Sequence, residues 1–122
     1  MGILDKLFGS KKNKNVENDP DIEHAVIVRF NYGIPRMDDL YELCNKLERV
    51  INENRLGEFD GHEIATDHSH GFLYMYGPNA ERLFTGVKQT LEQSEFMQGA
   101  KAKLRFGPPE DGIKEITVEV GS

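Results

Sequence analysis

The stretch from Gly57 to Phe84, GEFDGHEIATDHSHGFLYMYGPNAERLF, constrains the fold of this chain more than any other part of it. Two runs of strand-like alternation, Glu58 to Thr66 and Gly71 to Tyr76, flank a His68-Ser69-His70 turn, the pattern of an antiparallel hairpin. The second run ends on Gly77-Pro78, which stops a strand. A helical pattern then starts around Asn79, with Leu83, Val87 and Leu91 on one face. Five of the eleven Phe and Tyr residues and three of the four His also fall here, so side chains suited to recognition are concentrated in the same hairpin.

The flanks complete the pattern. His24 to Tyr32 alternates while staying apolar on both faces for several residues, which suits a central strand, and Gly33-Ile34-Pro35 breaks it. From Asp38 to Leu56 the period becomes helical, with Leu40, Leu43, Cys44, Leu47 and Ile51 on one stripe. Asp39 and Glu42 have the spacing of an acidic capping pair, and Gly57 is the expected stop. The second helix is expected to end before Gly99. Ala102 to Phe106 then reads as a strand, Pro108 to Gly112 as a turn, and Lys114 to Val120 as a last strand with Ile116, Val118 and Val120 inward. Strand-helix-strand units with right-handed crossovers predict an α+β fold. It is a ferredoxin-like βαββαβ sandwich with an extra C-terminal strand, both helices lying on one face of an antiparallel sheet, over residues 22–122.

Residues 1–21 read as an appendage. Ile3, Leu4, Leu7 and Phe8 share one side of a two-turn helix, and Lys11 through Asn18 is a polar linker with little to bury. Such a short helix forms mainly on docking. A frayed tail against the body or a neighbour is one reading; weak contact of residues 1–14 with an anionic membrane surface is the other. No apolar run is long enough to span a bilayer and no secretory signal is evident. The lone Cys44 permits no internal disulfide. The expected location is therefore the cytoplasm, or the periphery of the inner membrane surface.

Charge excludes one class of partner. The first 19 residues carry four lysines against three acids, so with a whole-chain charge of −6 the remainder stands at −7. That body repels phosphate backbones, and no nucleic-acid partner is expected. It suits a cationic partner, or simple solubility.

Three constellations bear on chemistry. Phe72, Tyr74 and Tyr76 alternate with Leu73 and Met75; if the latter pair faces the helices, three rings lie on the open side of the sheet, near Arg29 and Asn31 of the central strand. RNA-recognition domains stack bases on rings so placed, but here His70 stands where a basic residue leads that motif. Asp60, His62, Glu63, Asp67, His68 and His70 are metal-ligand types, with alternation placing Asp60 and His62 on one strand face. They lack a nearby cysteine and the rigid four-ligand spacing of a structural zinc site, so they are weak metal candidates. The Asp60, His62, Glu63 and His70 group could also serve acid-base catalysis, which needs burial and fixed partners. No nucleophile elbow, phosphate-binding glycine loop or cofactor motif is present.

The acidic-Phe-Asp-Gly turn, the Tyr-Gly-Pro strand-to-helix junction and KLRFGPP downstream resemble an uncharacterised family of small bacterial ferredoxin-like proteins, over roughly residues 24–120. The resemblance implies the fold and a bacterial cytosolic setting, and supplies no catalytic residue. The expected function is a non-catalytic interaction domain that binds a protein partner, or a second copy of itself, through Phe72, Tyr74, Tyr76, Arg29 and Asn31. An immunity or regulatory protein would use such a surface. The alternative is a small metal- or acid-base-dependent enzyme built on the Asp60 group.

Overall fold

The computed structural model describes residues 23–121; the N-terminal segment expected to carry the short amphipathic helix lies outside the described residues. In chain order the elements are β1 (His24–Asn31), α1 (Asp38–Glu53), β2 (Glu58–Ile64), β3 (His70–Gly77), α2 (Ala80–Glu92), a 3-10 turn (Glu95–Met97), β4 (Lys101–Arg105) and β5 (Glu115–Glu119). The strands form one sheet in the order β2-β3-β1-β4-β5, and every neighbouring pair is antiparallel. This is the ferredoxin-like order, with β5 added at the β4 edge.

Both helices cover one face. Leu40, Leu43, Cys44, Leu47 and Ile51 of α1 are buried, as are Leu83, Val87 and Leu91 of α2. They meet Val26, Val28 and Phe30 of β1 and Leu73 and Met75 of β3, none more than 1% exposed. Burying a large apolar side chain contributes about 1.5–3 kcal/mol, so this two-layer core carries most of the stability. The 3-10 turn closes one end, where Phe96 packs edge-on against Tyr32 with ring centroids 5.0 Å apart.

Element ends differ from the sequence expectation for identifiable reasons. The Asp39–Glu42 capping pair does not form: the N-cap is Met37, without a side-chain bond, and Asp38 and Asp39 act instead as acids in the first turn, where the helix dipole favours them. At the other end α1 stops at Glu53, before Leu56. Arg55 takes the left-handed conformation (φ 53°), its N–H bonding the Asn52 carbonyl while the Leu56 N–H bonds Ile51 at 3.0 Å. That is a Schellman closure with arginine in the place glycine usually fills. Gly57 has a different task, since a Cβ there would overlap the Tyr76 carbonyl oxygen on the adjoining strand. The α2 helix ends at Glu92, with the 3-10 turn intervening before Gly99. Its start matches expectation: the Asn79 side chain accepts from the Arg82 N–H at 2.9 Å, and the Ala80 N–H donates to His24 Nδ1 at 3.0 Å. Of the residues expected inward on the last strand, Val120, just past β5, is buried and Val118 is half-buried against the core, but Ile116 is 39% exposed.

Candidate functional site

The helix-free face of the sheet is built by strict alternation. On β3, Leu73 and Met75 are buried against the helices, and Phe72, Tyr74 and Tyr76 stand half-buried on the open side. His70, Phe72 and Tyr74 make a ring ladder along the strand. Phe72 and Tyr74 lie nearly parallel (24°) at 6.3 Å, and His70 meets Phe72 edge-on at 6.4 Å. The register with β1 sets Arg29 beside Phe72, Ile27 beside Tyr74 and Asn31 beside His70. Arg29 Nη1 reaches Asn31 Oδ1 at 3.4 Å. All five residues expected to form the binding surface therefore share one face.

A second band was not anticipated. On β4, Lys101, Lys103 and Arg105 pair with Arg29, Ile27 and Ala25, which brings three basic side chains onto the same face. Lys101 lies 3.7 Å from Glu119 of β5, and Arg105 donates to the Gly107 and Glu23 carbonyls at 2.7 and 3.1 Å. The signal was present in the strand itself, where Lys-Ala-Lys-Leu-Arg puts every base on one parity and every apolar residue on the other.

On β2 a bulge decides which side chains reach the face. Between Phe59, paired with Met75, and His62, paired with Leu73, the register shifts, and Gly61 takes φ 103°. One extra residue reverses the parity beyond it. His62 pairs with Leu73 on the helix side, and Glu63 pairs with Phe72 and turns to the open face. There the Tyr74 hydroxyl donates to Glu63 Oε1 at 2.6 Å. Loss of solvent and then the Glu63 carboxylate push the Tyr74 hydroxyl up to about 12; Tyr76 is raised as well, first by burial and then by Asp60.

The Asp60, His62, Glu63 and His70 group does not converge on one point. Asp60 and His62 border a cleft of about 580 Å³ between α1 and β2, whereas Glu63 and His70 border a separate hollow of about 430 Å³ on the open face. In the cleft, His62 Nδ1 is 3.7 Å from Cys44 Sγ and its ring is 5.9 Å from Tyr41. Burial, then Glu48, pushes the Cys44 thiol up to about 12, and burial lowers the His62 imidazole. Both shifts favour the neutral thiol and imidazole over a thiolate–imidazolium pair. His68 is tied elsewhere: it adopts φ 62° in the turn and its Nδ1 lies 3.0 Å from the Ile34 carbonyl, which accepts from it. His70 Nδ1 lies 2.9 Å from Ser69 Oγ. Among the described residues, no three His, Cys, Asp or Glu side chains are grouped to hold a metal ion, and no helix is long and apolar enough to cross a membrane.

No protein-family model, characterised protein or solved structure matches this chain. The assignment of a site rests on its own residues.

Proposed function

We propose that this chain is a binding domain that engages a protein surface through the open face of its sheet. The observation that carries the reading is the stacked Phe72–Tyr74 pair at the centre of that face, with ring planes 24° apart and flanked by ionic side chains on β2 and β4. Aromatic side chains in a partly desolvated centre with a polar rim are the usual energetic focus of protein interfaces. Glu63 supports the arrangement by holding the Tyr74 hydroxyl, which limits the rotamers the ring must give up on binding. A regulatory or immunity-type role in the bacterial cytosol is the setting this surface suits. Turnover is the weaker reading, because the candidate acid-base residues divide between two hollows and the one thiol is held neutral.

The test is a pair of alanine variants on opposite sides of the fold. Tyr74→Ala should reduce partner binding by about thirtyfold or more while leaving the fold intact, and Tyr41→Ala on the exposed surface of α1 should not reduce it. Captured proteins are compared between wild type and the two variants. Retention of the same partner by Tyr74→Ala, with loss in Tyr41→Ala, overturns the proposal.

A further inference from the structure

We infer that β5 pairs edge to edge with the β5 of a second copy of this chain, antiparallel about a two-fold axis that passes through the sheet beside Ile116. This surface is separate from the open face and goes beyond the reading given for it. Among the described residues β5 is the last strand on its side of the sheet. Its ladder fixes which backbone groups turn outward. The Val120 N–H donates to the Ala100 carbonyl and the Phe106 N–H to the Lys114 carbonyl, so residues of even number bond toward β4. Glu115 and Thr117, of the other parity, direct their N–H and C=O groups away from it.

The two edges of the sheet differ. The β2 edge is broken by the Gly61 bulge, a device that blunts strand pairing. The β5 edge, Glu-Ile-Thr-Val-Glu, has no bulge, proline, glycine or lysine to protect it. Its acids do not guard it either, because Glu119 lies 3.7 Å from Lys101 and Glu115 pairs across the ladder with Arg105. With bases of β4 already beside both carboxylates, the edge does not call for a basic strand and tolerates its own copy. At its centre Ile116 is 39% exposed; among the described residues only Tyr41 is a more exposed large apolar side chain.

One register makes β5 complementary to itself. Centred on Ile116, it sets Glu115 against Thr117 of the second copy, and the outward backbone groups of these residues bond each other on both sides of the axis. Ile116 then meets Ile116 of the second copy at a non-hydrogen-bonded position, where side chains lie closest, and Val118 meets the stem of Lys114. No acid faces an acid. A register centred on Thr117 instead sets Glu115 against Glu119 on both sides of the axis, with like charges directly opposite. The Ile116 axis keeps the helices of both copies on one side of a continuous sheet and both open faces on the other. The dimer thus presents two Phe72–Tyr74 ladders in the same direction, and a partner with two matching sites gains avidity.

Sedimentation equilibrium of the full chain tests this arrangement. Wild type should dimerise. Thr117→Pro removes an outward N–H that no bond to β4 uses, so it should keep the fold and weaken association by about a hundredfold or more. Ile116→Lys sets two cations together at the axis and should weaken it by a similar factor. Circular dichroism checks that each chain is folded; if Thr117→Pro is not, Ile116→Lys, at an exposed position, carries the test. Crosslinking reads the register, because Cα atoms of a non-hydrogen-bonded antiparallel pair lie about 4.5 Å apart, within disulfide range. Mild oxidation should link Ile116→Cys chains much faster than Thr117→Cys chains, and should leave wild type, whose Cys44 is buried, unlinked.

Monomeric wild type up to about millimolar concentration overturns the inference. If its Glu115 and Thr117 amides still resist hydrogen exchange, another segment of the chain covers the edge, and the inference falls equally. Dimers that persist in folded Thr117→Pro and Ile116→Lys place self-association on another surface and overturn it, as does faster linking through Thr117→Cys. The open-face reading is judged separately: a Thr117→Pro monomer should still capture a heterologous partner that Tyr74→Ala loses.

Discussion

The Tyr74 hydroxyl donates to Glu63 Oε1 at 2.6 Å across the β3–β2 pair. The two residues come together only because the Gly61 bulge reverses the parity of β2 beyond it. This contact fixes the central ring of the open face and makes its hydroxyl a reporter of how the face is built.

Stability should therefore respond to alkaline pH through Tyr74. Its proton is held more tightly in the folded chain (about 12) than in the unfolded one (10.0), so the associated stabilisation is complete below about pH 10 and is lost as pH rises toward 12. Denaturant melts of wild type and Tyr74→Phe should show a wild-type advantage of about 0.5–1.5 kcal/mol at neutral pH. That advantage should shrink through the pH 10–12 window. An advantage that stays constant across the window contradicts the assigned contact.

Gly61→Ala should destabilise the chain by about 1–2 kcal/mol, the cost of a Cβ in a left-handed conformation. Apart from its two chain neighbours, no residue has a heavy atom within 4 Å of the position an added Cβ would take, so the cost is conformational and not a clash. Thermal unfolding of the two chains measures it. An unchanged melting temperature shows that φ at this position is not held positive.

Cys44 should resist alkylation. With the thiol pushed to about 12 against an ordinary value of 9.0, its thiolate fraction at pH 8 is lower by roughly two to three orders of magnitude, and iodoacetamide should label the folded chain slower by that factor than the unfolded one. Labelling at comparable rates contradicts the neutral Cys44–His62 pair and returns the α1–β2 cleft to consideration as a reactive centre.

Most of the architecture was legible because it follows from periodicity. The helical stripe Leu40, Leu43, Cys44, Leu47 and Ile51 and the β3 alternation each have one buried solution, and both take it. What could not be read depended on single residues whose backbone breaks the pattern. Arg55 closes α1 in a conformation that usually belongs to glycine, which displaced the expected stop at Gly57. The Gly61 bulge inserts an extra residue into β2, so alternation counted from Asp60 no longer predicts which face His62 and Glu63 take. The basic band on β4 was missed for a different reason: its meaning appears only when the register sets Lys101 and Arg105 in rows with Phe72 and Tyr76.

The account turns on which side of the sheet is covered when the protein binds its partner, and hydroxyl-radical footprinting reads this directly. Tyr74 and Phe72 on the open face are compared with Tyr41, which is 52% exposed on α1, in the free and partner-bound states. Oxidation of Tyr74 and Phe72 should fall severalfold on binding while that of Tyr41 is unchanged. Protection of Tyr41 with undiminished oxidation of Tyr74 and Phe72 would contradict the account and move the interface to the helical side.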